Sequence, residues 1–104
     1  MTECHNLNMK VWITLSKMGT GRLQLSCIRS TNESERIGTG CTLPPFNPNG
    51  VPEIYRVLQN LGVDEELAAE KIALIRYAAV GEEIQVENRD VSEKVLRDNG
   101  FIGF

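Results

Sequence analysis

The sequence predicts an α+β domain: a three-stranded antiparallel N-terminal sheet packed by two or three amphipathic helices, with candidate C-terminal strands. Three observations carry that expectation. Apolar residues fall on odd positions from Met9 to Leu15 and again from Leu23 to Cys27, with polar residues mostly between them. This period of two marks strands with one buried face. Met18-Gly19-Thr20-Gly21 separates the two runs as a hairpin turn would. Beyond residue 50 the period changes, and Ile54, Val57, Leu58 and Leu61 recur at the spacing of one helix face.

The hairpin is constrained further by parity. Directly opposed residues in an antiparallel pair share a face, so two strands that both bury odd positions must pair residues whose numbers sum to an even value. A two-residue Gly19-Thr20 turn would break that rule. The expectation is therefore a loop of three or five residues with a glycine at positive φ, most simply with Lys17 opposite Gly21 and Ile13 opposite Leu25. Ser30 to Glu35 reads as a polar loop, and Arg36 to Leu43 as a third strand with Ile37, Cys41 and Leu43 inward. Gly38 and Gly40 weaken that strand and suggest an edge, a bulge or close backbone approach. Leu43-Pro44-Pro45-Phe46-Asn47-Pro48-Asn49-Gly50 is a connector, because its prolines remove donors and fix φ.

A first helix is expected over 52–61, with Pro52 in its first turn and Gly62 as its stop. A second is expected over 64–80, with Asp64 as N-cap and Glu65 and Glu66 at the positive end of the helix dipole. Its apolar residues (Leu67, Ala68, Ile72, Leu74, Ile75, Ala78, Ala79) cover so broad a surface that contact on more than one side is implied. Glu83 to Val86 reads as a short strand. Asp90 with Glu93 resembles a capping box opening a short helix to Asp98, ended by Asn99-Gly100. Phe101 to Phe104 is a candidate terminal strand. The expected core is Met9, Val11, Ile13, Leu15, Leu23, Leu25, Cys27, Ile37, Ile54, Leu58, Leu67, Ile72, Ile75 and Val95.

With 104 residues, the chain has the length of a single domain, read as 1–104 with 1–8 as a flexible tail. Its composition, 41% hydrophobic and 24% charged, is that of a globular protein rather than a disordered one. No apolar run approaches a membrane-spanning length, and the N-terminus has no secretory pattern. Three widely spaced cysteines (Cys4, Cys27, Cys41) then fit a reducing, cytoplasmic setting. Charge is uneven: +2 over residues 1–51 and −5 over 52–104, together the −3 of the whole chain. Neither value is large enough to imply a nucleic-acid or membrane partner by charge alone.

No motif reaches a reaction. Cys4, His5, Cys27 and Cys41 form a Cys₃His inventory, but without the paired spacing of zinc sites, so no metal or other cofactor is expected. His5 is the only histidine and lies near one end in a stretch with no pattern, where a histidine reads as solvated and not as a catalytic base. Glu65/Glu66 and Glu82/Glu83 read as solvated chain, not as acid–base pairs. Gly19-Thr20-Gly21 and Gly38-Thr39-Gly40 do not lead from strand to helix, as phosphate-binding loops require. The more informative feature is the even face of the sheet, which would display Lys10, Trp12, Thr14, Arg22, Gln24, Ser26, Ile28 and Arg36. Lys10, Trp12, Arg22, Gln24 and Arg36 are the candidate binding residues.

The ending Leu96-Arg97-Asp98-Asn99-Gly100-Phe101 resembles the helix-to-strand ending of ClpS-type protease adaptors, over residues 53–104 at most. That family's Asn-Asp-Asp lead-in has no counterpart here, and Arg76 or Tyr77 stands where it carries a histidine, so no function is carried across. The residues favour a small non-enzymatic domain that binds a protein partner or a second copy of itself. The alternative is single-stranded nucleic-acid binding through the even face, Trp12 serving as the stacking platform.

Overall fold

The computed structural model describes residues 8–32, 35–42 and 50–101, and for 31–32 and 35–42 the backbone alone. The elements are β1 (Asn8–Lys17), β2 (Leu23–Asn32), β3 (Glu35–Thr42), α1 (Val51–Asn60), α2 (Glu65–Arg76), β4 (Glu83–Ser92) and α3 (Glu93–Asp98). The fold is α+β, with a wholly antiparallel sheet ordered β3-β2-β1-β4. The three N-terminal strands pair as the alternation implies, and β4 adds a fourth on the free side of β1. The first strand is thus central. No helix among the described residues is long and apolar enough to cross a membrane.

Parity holds across the hairpin. Val11, Ile13, Leu15, Leu23, Leu25 and Cys27 are all buried. The register, however, is wider than the simplest case: Lys17 opposes Leu23 and Ile13 opposes Cys27. Turn geometry explains the difference. The Gly21 N–H donates to the Met18 carbonyl at 2.9 Å, and the Met18 N–H donates to the Arg22 carbonyl at 2.8 Å. The turn over Met18–Gly21 ends on a left-handed residue, and Gly21, at φ 81°, supplies it so that the loop closes.

The core lies between the odd face of the hairpin and the helices, where Ile54, Leu58, Ala68, Ile72, Ile75, Leu96 and Phe101 are buried. Met9, Leu67 and Val95, expected inside, are half-buried and pack against it. The Ile37 side chain lies outside the described residues. Burial of these apolar surfaces is the main driving force of the fold.

Several boundaries differ from expectation, each for a local reason. β2 runs on to Asn32 and β3 begins at Glu35, so the Ser30–Glu35 segment is mostly ladder; pairing of Ser30 with Arg36 and Asn32 with Glu35 supplies the backbone partners. β3 is an edge strand with register shifts, as its glycines suggested. α2 stops at Arg76 instead of 80. Beyond it the Gly81 N–H donates to the Lys17 carbonyl and the Lys17 N–H to the Glu82 carbonyl, so the sheet takes the chain away from the helix. β4 continues to Ser92, and the cap of α3 is Ser92, whose Oγ accepts from the Val95 N–H at 3.1 Å, not Asp90. Asp90 is instead a strand residue opposite Lys10. β1 starts at Asn8, the last residue of the expected tail, whose residues 1–7 lie outside the described residues, and Phe101 is buried but outside any strand. Residues 102–104 of the candidate terminal strand lie outside the described residues.

α1 and α3 end in the same way. Gly62 and Gly100 take φ of 93° and 95°. Val63 N–H donates to Leu58 O and Gly62 N–H to Gln59 O; Phe101 N–H donates to Leu96 O and Gly100 N–H to Arg97 O. Each is a Schellman ending, with an apolar pair (Leu58/Val63 and Leu96/Phe101) buried across the reversal. The Asn-Gly-Phe of the C-terminal segment is thus one form of a helix stop that α1 makes with Leu61-Gly62-Val63.

Candidate functional site

The even face is built from β1, β2 and β4. Trp12 opposes Ile28 on one side and Asn88 on the other, and is half-buried. Lys10, Arg22 and Gln24 are also half-buried. Thr14 is fully buried on this face, its Oγ1 2.5 Å from Ser26 Oγ. Asn88 Nδ2 donates to the Val11 carbonyl at 3.2 Å and to Ser30 Oγ at 3.0 Å. Lys10, Trp12 and Gln24 are thus placed on this face by the register, while Arg22 sits in the turn just before β2. The backbone of Arg36 opposes Ser30, and its side chain lies outside the described residues.

β4 changes the character of this face in a way no reading of β1 and β2 could show. Ile13 opposes Glu87, but Thr14 opposes Gln85, so Val86 is an extra residue, a β-bulge. Before the bulge Glu83 and Gln85 share the even face; after it, Asn88 and Asp90 do. Asp90 Oδ1 lies 3.5 Å from Lys10 Nζ. Acids therefore interleave with the bases, and the surface is mixed in charge. A cationic groove that tracks a nucleic-acid backbone needs an uninterrupted positive stripe.

A second surface lies at the far end of α2. Ala68, Ile72 and Ile75 face the core. On the opposite side Leu74 is 51% exposed and Tyr77 87%, and Val80, just beyond the helix, is 59% exposed. These are the large hydrophobic residues left exposed among the described residues. The segment is held in place: Lys17 Nζ donates to the Arg76 carbonyl at 2.5 Å, and the ladder bonds of Lys17 to Gly81 and Glu82 fix the loop that follows. The apolar side chains are thus displayed from a tethered backbone, which lowers the ordering entropy that binding would cost.

The breadth of apolar sequence in α2, Leu74 included, points to this helix, but none of Leu74, Tyr77 and Val80 is among the candidate binding residues. The available signal was angular: on a helical wheel Leu74 and Tyr77 lie away from Ala68, Ile72 and Ile75. Among the described residues no three of His, Cys, Asp and Glu are grouped so as to hold a metal ion. Cys4 and His5 lie outside the described residues.

Comparisons of this chain with protein-family models, curated proteins and solved structures found no match in any of the three.

Proposed function

We propose that this chain is a small protein-interaction domain that docks through the apolar end of α2, with a second copy of itself as the first partner to test. The observation that supports the reading is the exposure of Leu74, Tyr77 and Val80 together on a tethered segment. Single exposed hydrophobics are ordinary, whereas three within seven residues at one end of one helix set this segment apart from the other described residues. Tyrosine adds weight, since its broad apolar ring and polar tip suit an interface that is dry in the middle and wet at the rim.

The even sheet face is the alternative surface. Its charges are interleaved and Lys10 is paired with Asp90, so it offers a nucleic acid less than the hairpin alone would suggest.

The test is light scattering during gel filtration over a wide concentration range, for the wild-type chain and a Leu74→Asp/Tyr77→Ser variant. The expected outcome is a concentration-dependent dimer that the double substitution abolishes with little change in thermal midpoint. A wild-type chain that stays monomeric throughout, with amide NMR shifts of residues 73–80 independent of concentration, would remove self-association. An α2 surface equally inert in the presence of salt-sensitive oligonucleotide binding at Trp12 would shift the reading to the sheet.

A further inference from the structure

We infer that Cys27 and Cys41 form an oxidisable cross-strand pair, able to close a disulfide between β2 and the edge strand β3. The register places them directly opposite each other, between the pairs Ser26–Thr42 and Ile28–Gly40. Directly opposed positions share a face of the sheet. The ladder type follows from the neighbouring hairpin. Met18 N–H donates to Arg22 O, and the pairing from there to Val11 and Arg29 runs without a shift. Alternation then turns the N–H and C=O of Cys27 away from β1 and toward β3. Cys27 and Cys41 are therefore a hydrogen-bonded pair, for which the Cα atoms stand about 5.5 Å apart, within the usual span of a disulfide.

The Cβ atoms of such a pair stand about 5 Å apart, wider than the roughly 4 Å of a relaxed disulfide. The bond consequently forms with strain, and strained disulfides are the readily reduced, regulatory kind. Access to Cys27, which is fully buried, comes through the edge. Among the described residues β3 has a partner on one side only, and its ladder to β2 is interrupted between Ile28 and Ser30 and again between Ser30 and Asn32. An edge with a broken ladder opens locally at lower cost than the centre of the sheet.

The oxidant class is a low-molecular-weight disulfide such as oxidised glutathione. The Cys41 thiolate attacks one of its sulfurs, forming a mixed disulfide and releasing one thiolate. The Cys27 thiolate then attacks the Cys41 sulfur and expels the second. The two protein thiols lose two protons and two electrons, and the small disulfide gains both as two thiols.

The experiment uses the full chain with Cys4→Ser, so that no third cysteine competes, alongside the same chain with Cys41→Ser added. Both are equilibrated in graded ratios of oxidised to reduced glutathione, trapped by alkylation and measured by intact mass and peptide mapping. The expected result is an internal Cys27–Cys41 link in the first chain, lighter by two hydrogens, reversed by excess reduced glutathione. In the Cys41→Ser chain the link is absent and Cys27 stays thiol. The proposal is overturned if both cysteines of the first chain remain fully alkylatable at the most oxidising ratio, or if stable glutathione adducts accumulate in place of the internal link. Circular dichroism of each chain confirms that the comparison is made between folded proteins.

Discussion

Gly21 and Gly62 both occupy the left-handed region, but their surroundings differ. A Cβ at Gly21 would meet nothing within 4 Å, whereas one at Gly62 would lie 2.8 Å from Nη2 of Arg89. Gly21→Ala should therefore cost the backbone term alone, about 1–2 kcal/mol. Gly62→Ala should cost more, because the guanidinium packed over the end of α1 has to move. Denaturant unfolding of Gly62→Ala with and without Arg89→Ala measures the difference: the extra penalty should vanish in the Arg89→Ala background. Gly19 lies in the same turn without positive φ and with open space at its Cβ. Gly19→Ala should be neutral or stabilising by a few tenths of a kcal/mol, since it only narrows the unfolded ensemble. That one of the hairpin glycines must be left-handed was legible from parity; that it is Gly21 and not Gly19 depends on the Met18–Arg22 closure, which sequence spacing does not reveal.

Helix ends account for the next level of stability. Asp64 Oδ2 accepts the N–H groups of Glu66 at 3.1 Å and Leu67 at 3.4 Å, and Ser92 does the corresponding work for α3. Asp64→Ala and Ser92→Ala should each lower stability by about 1 kcal/mol in urea titrations. Asp90→Ala, by contrast, should cost little, since its exposed pair with Lys10 is worth at most about 1 kcal/mol. This trio distinguishes the observed cap from the one that the Asp90/Glu93 spacing implied. The misreading has a physical origin. Asp90 and Ser92 are equally good cap residues in isolation, and only pairing with β1 decides that the strand continues past Asp90. The bulge at Val86 hid β4 in the same way. Ile84 and Val86 face the helices on even positions and Val91 on an odd one, so a period-two reading loses the strand halfway along. β1 and β2 were legible because their shared register contains no such break.

At the scale of the molecule, the sheet and helices meet over one continuous apolar layer, and Phe101 completes it from the far end of the chain. Phe101→Ala should cost about 3–5 kcal/mol, an effect visible as a large fall in thermal midpoint. Native-state hydrogen exchange should find its slowest amides in β1, bonded on both sides, and faster ones in β3 and at the end of α3. The layer itself was legible from two hydrophobic periods. The candidate site was legible only in part. Lys10, Trp12 and Gln24 share a face because parity puts them there, but the acids beside them arrive on β4, and the exposed end of α2 results from how far the sheet pulls the chain after Arg76.

The central position of β1 has a consequence for biosynthesis. The ribosome makes this strand before the helices, yet one of its two flanks stays without its β4 partner until residues 83–92 emerge. Throughout translation of the helices, the row from Val11 to Leu15 presents an open backbone edge to any other extended polypeptide nearby. A message truncated before β4 should therefore yield an insoluble product, and chaperone occupancy on polysomes should fall once β4 emerges.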